Sequence, residues 1–193
     1  LEITTKIEKG LLNLPNLGLN LENIFSLLEY NSENGFDNGY VSLKLNSIPL
    51  VFDLNLESSD QDYSFFISEK PVQIRNLIPI NMRGSVSGSS ATLIKVAIPT
   101  MKKGQDIKRP YIEFTSNLLG TEIKLPNPFY KVSEDPINLN FVFYPTFTEQ
   151  YSRLQFRLGE IIRGKLNFFG ETLEGFIIAG KKKQSINIEK GKI

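Results

Sequence analysis

Apolar and polar side chains alternate with a period of two residues along most of this chain. In one such segment, Leu43 and Leu45 alternate with Lys44 and Asn46. Because successive side chains of a β-strand point to opposite faces of a sheet, this pattern predicts strands with one apolar face and one polar face. Similar segments follow at residues 50–57, 63–67, 91–99, 111–115, 137–143, 153–158, 166–168, 176–178 and 186–188. The sequence therefore predicts a mainly β protein of about ten or more strands, in which chain neighbours pair antiparallel.

Two stretches have helical rather than strand periodicity. In the first, apolar residues fall at positions i, i+3, i+4 and i+7: Leu21, Ile24, Phe25 and Leu28. With Asn20 as its N-cap, this spacing predicts a short helix from Leu21 to Tyr30. In the second, residues 72–82, apolar residues at helical spacing precede Pro79, which predicts one helical turn followed by a strand.

Short polar dipeptides predict the turns between the first strands. Residues 1–8 are expected to form a strand that ends in a turn at Lys9 and Gly10. The dipeptides Asn34-Gly35 and Asn38-Gly39 predict hairpin turns, since asparagine and glycine tolerate a positive φ.

The stretch from Ser116 to Lys131, SNLLGTEIKLPNPFYK, is expected to be the centre around which the chain is organised. Its pattern is that of a strand end, a link at Gly120, a second short strand and then the sequence Leu-Pro-Asn-Pro-Phe. We expect Pro126 and Pro128 to fix a turn rather than to contact a ligand, because proline cannot donate a hydrogen bond to a sheet.

The amino-acid composition excludes several kinds of active site. The 193 residues include neither histidine nor cysteine, which excludes Ser-His and Cys-His nucleophiles, histidine-ligated metals and thiolate metal sites within this segment. Carboxylate catalysis requires two acids that flank a cleft. The acids here lie in turn-like runs or, as with Glu113 and Glu122, alternate outward on strands. We therefore predict that the chain is not an enzyme and uses no metal or cofactor, with a carboxylate enzyme as an alternative.

The charge pattern argues against nucleic acid as a partner. The net charge is +1, and Lys and Arg are interspersed among Asp and Glu, so no basic face is dense enough to indicate nucleic-acid binding. Lys181 to Lys183 form the one cationic run in the sequence. This run is consistent with a solvated turn and also with contact to anionic lipid headgroups.

Two architectures are open to a sheet with one apolar face. A sandwich or barrel would bury that face fully. An open, strongly curved sheet would leave a groove lined by apolar side chains, which demands an apolar ligand or partner. No apolar run approaches the roughly 20 residues that span a bilayer. Because the sequence begins at Leu1, we expect a single fragment, residues 1–193, of a larger protein, with any signal peptide or membrane anchor outside it.

Five segments in the second part of the chain follow one another in a distinctive order. They are GSVSGSSATLIKVAIP at 84–99, YIEFTSNLLGTEIKLPNPFYK at 111–131, INLNFVF at 137–143, LEGFIIAG at 173–180 and SINIEKGKI at 185–193. The glycine-led strand ending in Ile-Pro, and the later Leu-x-Gly and Leu-Pro-x-Pro-hydrophobic-x-Lys motifs, resemble a region of the YhdP proteins. These belong to the AsmA-like superfamily, with TamB and AsmA. Residues 84–193 carry the resemblance, whereas residues 1–83, the expected N-terminal strands with the short helix, share only its β character.

The resemblance implies a large periplasmic protein of the Gram-negative envelope that is anchored in the inner membrane. It implies carriage of phospholipid along an apolar groove between the inner and outer membranes, in support of the outer-membrane permeability barrier. The implied partners are phospholipid acyl chains and the remainder of the full-length chain, which would extend the sheet at its open edges. On this hypothesis eight side chains line the groove: Phe52, Leu54, Ile94, Val96, Phe114, Leu139, Phe141 and Phe156.

A different class of function is left open by the residues themselves. A closed β-sandwich would serve as a protein-interaction or scaffolding module without lipid. Such a module would have two packed sheets and no accessible apolar channel.

Overall fold

Strands make up most of the regular structure of this protein. The computed structural model describes residues 1–14, 19–32, 35–55, 62–78, 80–100, 108–127, 129–146, 151–170, 172–180 and 184–192. Fourteen strands and two short 3-10 helices lie within these residues, so the predicted mainly β character is confirmed. In the same part of the chain, no helix has both the length and the apolar character needed to cross a bilayer.

The strands follow one another closely along the chain. They are β1 (Glu2–Leu14), β2 (Leu19–Asn31), β3 (Gly35–Leu45), β4 (Ile48–Asn55), β5 (Tyr63–Val72), β6 (Val86–Gly88), β7 (Ser90–Pro99), β8 (Tyr111–Ser116), β9 (Thr121–Ile123), β10 (Leu139–Tyr144), β11 (Ser152–Leu158), β12 (Ile162–Phe169), β13 (Thr172–Ala179) and β14 (Gln184–Lys192). The 3-10 helices, Ile74–Asn76 and Ile80–Ser85, lie between β5 and β6. Each segment identified by its alternation overlaps one of these strands.

Twelve of the strands form one antiparallel sheet. Their order in the sheet is β1-β2-β3-β4-β5-β7-β8-β10-β11-β12-β13-β14, which follows the order in the chain and confirms the predicted antiparallel pairing of neighbours. The strands β6 and β9 leave this order and pair with each other in a small two-stranded sheet. Because β1 and β14 lie at opposite ends, the large sheet is not closed into a barrel.

The helix predicted from Leu21 to Tyr30 is wrong, since these residues lie in β2. Between Glu22 and Phe25 the pairing with β3 shifts register, because β2 holds one more residue there than its partner and Asn23 has a φ of 51°. Such a bulge reverses the face to which the following side chains point. Leu21 and Leu28 therefore pack against the same buried cluster, although an unbroken strand would place them on opposite faces.

Other local predictions for residues 1–83 also need correction. Lys9 and Gly10 form a bulge within β1, where the pairing with β2 shifts register, rather than a turn. Asn38 and Gly39 lie inside β3, next to another register shift. In residues 72–82, the predicted helical turn appears as the first 3-10 helix, but a second 3-10 helix follows instead of a strand. Asparagine and glycine tolerate the irregular backbone of a bulge as well as that of a turn, so the same dipeptide fits both.

The main buried cluster lies on one face of β3, β4, β5 and β7. Its fully buried members are Leu45, Ile48, Leu50, Phe52, Phe66, Val72 and Ile94. Leu77, which follows the first 3-10 helix, packs against this cluster. Asn46 Nδ2 in the β3–β4 turn donates a hydrogen bond of 3.1 Å to the carbonyl oxygen of Asn76. This contact holds the 3-10 helix beside the end of the cluster.

A second cluster joins the small sheet to the large one. Ile74, Val86 and Leu118 are buried in it, and Ile78, Ile123, Leu139 and Leu158 pack against them. Val86 and Ile123 pair across β6 and β9, whereas Leu139 and Leu158 pair across β10 and β11. The small sheet thus covers one end of the apolar face of β10 and β11.

Candidate functional site

The large sheet brings all eight predicted groove residues to one face. Residues that pair directly across strands share a face, as do residues two apart in a regular strand. One row of directly paired residues crosses β7, β8, β10 and β11: Ile94, Phe114, Phe141 and Phe156. A second row crosses β4, β5 and β7: Leu54, Phe66 and Val96. Phe52 precedes Leu54 by two residues, and Leu139 precedes Phe141 by two. We call the surface that carries these residues the inner face, and the opposite surface the outer face.

The eight side chains differ in how accessible they are. Phe52 and Ile94 are 6% and 1% exposed and belong to the main buried cluster, so they are core residues that offer little surface to a ligand. The other six are partly exposed: Leu54, Val96, Phe114, Leu139, Phe141 and Phe156. Accessible apolar surface therefore begins beside the main cluster and continues across β8, β10 and β11.

Aromatic rings cover the middle of the inner face. Phe114 and Phe141 meet edge to face, with ring centroids 5.7 Å apart and planes inclined by 87°. The ring of Phe156 lies over Gly164 of β12, where an added Cβ would lie 2.5 Å from Phe156 Cζ. Glycine at position 164 therefore lets the Phe156 ring lie flat along the face.

The apolar row extends beyond the residues that the sequence analysis identified. From Phe156 it passes through Gly164, Ile177 and Ile186 on β12, β13 and β14. At the β14 edge Ile186 is 59% exposed, and at the β1 edge Ile7 is 41% exposed. Further members of the inner face were not singled out, although their alternation was visible in the sequence: Leu50, Phe66, Phe143, Leu154, Leu158, Leu166 and Ile177.

The central stretch from Ser116 to Lys131 forms the contact between the inner face and the small sheet. Leu118 has a φ of 51° and is 1% exposed, which places its side chain in the second cluster. Gly88 and Gly120 have φ values of 84° and 87°, and an added Cβ on Gly88 would lie 2.0 Å from the carbonyl oxygen of Gly120. Both positions require glycine, because no other residue tolerates this backbone and this approach together. The predicted glycine link therefore positions β9 beside β6.

Lys131 is a buried cation at the end of that stretch. Its side chain is 2% exposed, and Nζ donates to the carbonyl oxygens of Thr121 at 2.7 Å and Val132 at 2.9 Å. Burial lowers the pKa of Lys131, although the charges of Asp135 and Glu134 oppose this effect. The ammonium group thus ties β9 to the segment that follows it, which is a structural role.

The outer face of β5, β7, β8 and β10 carries polar and aromatic side chains. Lys95 of β7 forms a 2.9 Å ion pair with Glu113 of β8. Burial lowers the pKa of Lys95, but the hydrogen bond and charge of Glu113 outweigh it, so the pKa lies above its usual value. The rings of Tyr63, Tyr111 and Tyr144 are in successive contact, with centroids 5.5 Å and 5.8 Å apart. These contacts fix the outer surface of β5, β8 and β10.

Acidic residues in the described part of the chain are engaged on its surface rather than gathered in a cleft. Glu113 pairs with Lys95, and Glu122 accepts a 3.0 Å hydrogen bond from Ser87 and pairs with Lys124 at 3.1 Å. No group of three or more acidic, histidine or cysteine side chains that could hold a metal lies in this part. Glu57, Asp60 and the run from Lys181 to Lys183 lie outside the described residues.

No family model, curated protein or solved structure matches this chain. The resemblance to the AsmA-like superfamily therefore stays a prediction.

Proposed function

We propose that this chain is part of a lipid-transport protein of the Gram-negative envelope that carries phospholipid between the inner and outer membranes. On this proposal the large sheet is strongly curved, and its inner face is the floor of an open apolar groove. The protein lies in the periplasm, is anchored in the inner membrane through a segment outside this chain, and supports the outer-membrane permeability barrier.

The observation that carries the proposal is the row that continues from the buried Ile94 across six neighbouring strands, from Phe114 on β8 to Ile186 on β14. At a spacing of roughly 4.8 Å between neighbouring strands, this part of the row extends over about 24 Å. The hydrocarbon core of a bilayer, which holds two layers of acyl chains, is about 30 Å thick. The row is therefore long enough to accept a complete acyl chain and to pass it onward.

The composition of the row suits transport rather than tight binding. Burial of an acyl chain is favourable by about 0.8 kcal/mol per CH₂ group, while the headgroup can stay in water beyond the face. Apart from Gly164, over which the Phe156 ring lies, the residues along the row are phenylalanines and isoleucines, so neighbouring positions attract an acyl chain to a similar degree. Such evenly distributed binding is what a transport path needs, because a deep local site would retain each lipid.

The two edges of the sheet support its continuation by further strands. β1 and β14 each have one neighbouring strand in the described sheet. An open edge presents backbone N–H and C=O groups that can pair with another strand. The exposed Ile7 and Ile186 show that apolar side chains of the inner face reach both edges. We propose that the remainder of the full-length chain pairs with these edges and continues the groove.

Native mass spectrometry with lipid extraction tests the proposal on the chain purified from a bacterial envelope. We expect phospholipid to co-purify with the wild type. Phe141→Glu places a carboxylate in the middle of the row, and we expect it to abolish co-purification, because a charge beside acyl chains is costly to bury. Thr115→Glu is the matched control, since Thr115 lies on the outer face of the neighbouring strand β8 and pairs there with Asn140 and Leu93.

The control variant should retain its lipid, and both variants should keep the circular dichroism spectrum of the wild type. A wild type without phospholipid would contradict transport along the inner face. Equal loss of lipid from two folded variants would contradict it as well, because the loss would then be independent of the face that carries the charge.

A protein-interaction or scaffolding role without lipid is the second candidate. In the described residues the second sheet has only two strands, so the arrangement is not a sandwich of two comparable sheets. The open edge of β1, which is 13 residues long, instead favours the addition of a strand from a protein partner. A lipid-free wild type in the experiment above would favour this candidate.

A further inference from the structure

The outer face of β11 and β12 is strongly cationic. Six residues that pair with one another across these two strands occupy outward positions: Arg153, Gln155, Arg157, Arg163, Lys165 and Asn167. Four of these six are cationic and none is acidic. We call Arg153, Arg157, Arg163 and Lys165 the basic outer patch. Because the net charge of the whole chain is only +1, these positions hold a local concentration of positive charge.

Two members of the basic outer patch are placed where they repel each other. Arg157 and Arg163 lie directly opposite on neighbouring strands, an arrangement that destabilises an antiparallel pair. Glu160 offsets part of this repulsion by pairing with Arg157. Arg163 is exposed, and both arginines line a surface depression of about 80 Å³ beside Ile178. The fold alone gives no reason for this juxtaposition, whereas an external anion would relieve the repulsion.

Apolar and aromatic side chains flank the basic outer patch on both sides. They are Val142 and Tyr144 on β10 and Phe176 and Ile178 on β13, whereas two polar residues, Asn140 and Glu174, lie in the same rows and pair with Arg157 and Asn167. Phe176 pairs with Lys165 and is 38% exposed, although it lies on the polar side of the sheet. Arginine and lysine interspersed with exposed aromatic and aliphatic side chains are typical of surfaces at the membrane–water interface.

We infer that the basic outer patch docks the protein on the surface of a bilayer that contains anionic phospholipids. The cations would pair with lipid phosphates, and Phe176 would enter the interfacial region between them. This inference concerns the outer face and does not rest on lipid transport along the inner face.

A single-stranded nucleic acid fits the same surface less well. Ile178 would gain nothing from contact with a phosphate backbone, and Phe176 offers a base one exposed ring. In proteins that bind single-stranded nucleic acid, the bases stack on exposed aromatic rings. Here the guanidinium of Arg109 already lies over the rings of Tyr144 and Tyr151, at 5.8 Å and 5.3 Å from their centroids.

Vesicle flotation at low and high salt tests the inference on the whole chain. We expect binding to vesicles of phosphatidylcholine with phosphatidylglycerol, no binding to phosphatidylcholine alone, and weaker binding at high salt. The triple variant Arg157→Gln, Arg163→Gln, Lys165→Gln should bind anionic vesicles roughly 100-fold more weakly, since each cation near such a surface contributes about fivefold.

A second triple variant, Lys6→Gln, Lys44→Gln, Lys124→Gln, removes the same charge from elsewhere on the molecule and should bind like the wild type. Equal loss in both triple variants, or equal binding of the wild type to both kinds of vesicle, would overturn the inference. Displacement of the vesicles by a single-stranded oligonucleotide at the same ionic strength would overturn it in favour of nucleic acid. Phe141→Glu should still float, so a failure of lipid transport alone would leave this inference standing.

Discussion

At the scale of single residues, the fold changes the proton affinity of Lys131. Its ammonium group is buried against two carbonyl oxygens, and burial lowers its pKa below the ordinary value of 10.5. Between the folded-state pKa and 10.5, the unfolded chain therefore binds more protons than the folded chain. The contribution of Lys131 to the free energy of unfolding therefore rises with pH in that window, because stability increases wherever the unfolded state binds more protons.

We expect this rise to disappear in Lys131→Met, which keeps an unbranched side chain but has no titratable group. The measurement is urea unfolding of the wild type and the variant at a series of alkaline pH values. The wild type should gain stability relative to the variant as the pH approaches 10.5 from below. A difference that stays constant or falls with pH would show that the ammonium is not buried in this way.

The alternation of apolar and polar residues predicts the face of the sheet on which a side chain lies, but it does not predict how deeply that side chain is buried. It predicts one face for Phe52 and Phe141, because the direction of a side chain depends only on its own strand. It did not predict that Phe52 is buried and Phe141 partly exposed. Burial depends on what other strands bring near, in this case the remaining members of the main buried cluster such as Phe66 and Ile94, and that information is not local.

At the scale of elements, β2 shows why a strand can have the sequence pattern of a helix. Leu21 and Leu28 are separated by two helical turns, but they are also on one side of a strand that contains a bulge between them. The sequence offers no local signal that separates the two, since asparagine at position 23 is compatible with both. The pairing of β6 with β9 was missed for a related reason. It joins distant segments and depends on the close approach of Gly88 and Gly120.

Substitutions at Asn23 distinguish the bulged strand from the helix. Asn23 is exposed and has a φ of 51°, so Asn23→Gly should be neutral or slightly stabilising. Asn23→Ala should lower the free energy of unfolding by about 1 kcal/mol, because alanine has no polar side chain to offset the cost of a Cβ in this left-handed backbone. In a helix the order would be reversed, with alanine more stable than glycine by about 1 kcal/mol. Urea unfolding of the two variants decides between these orders.

At the scale of the whole molecule, the protein is mainly one layer of sheet with two unlike surfaces. Its accessible surface is 12197 Å², whereas a compact monomer of 21.9 kDa would expose about 9,300 Å². The excess is expected when one sheet is not matched by a second layer of similar size. We propose that acyl chains bind to the inner face and that anionic headgroups bind to the outer face.

Photocrosslinking of bound lipid tests the central proposal most directly. A benzophenone amino acid is placed in turn at inner positions Phe114, Phe141 and Phe156 and at their outer neighbours Thr115, Val142 and Gln155. The purified protein is illuminated without added vesicles, and adducts are identified by mass. We predict phospholipid adducts at the three inner positions and none at the three outer positions. Adducts at both sets alike, or at neither, would contradict an acyl-chain path along the inner face.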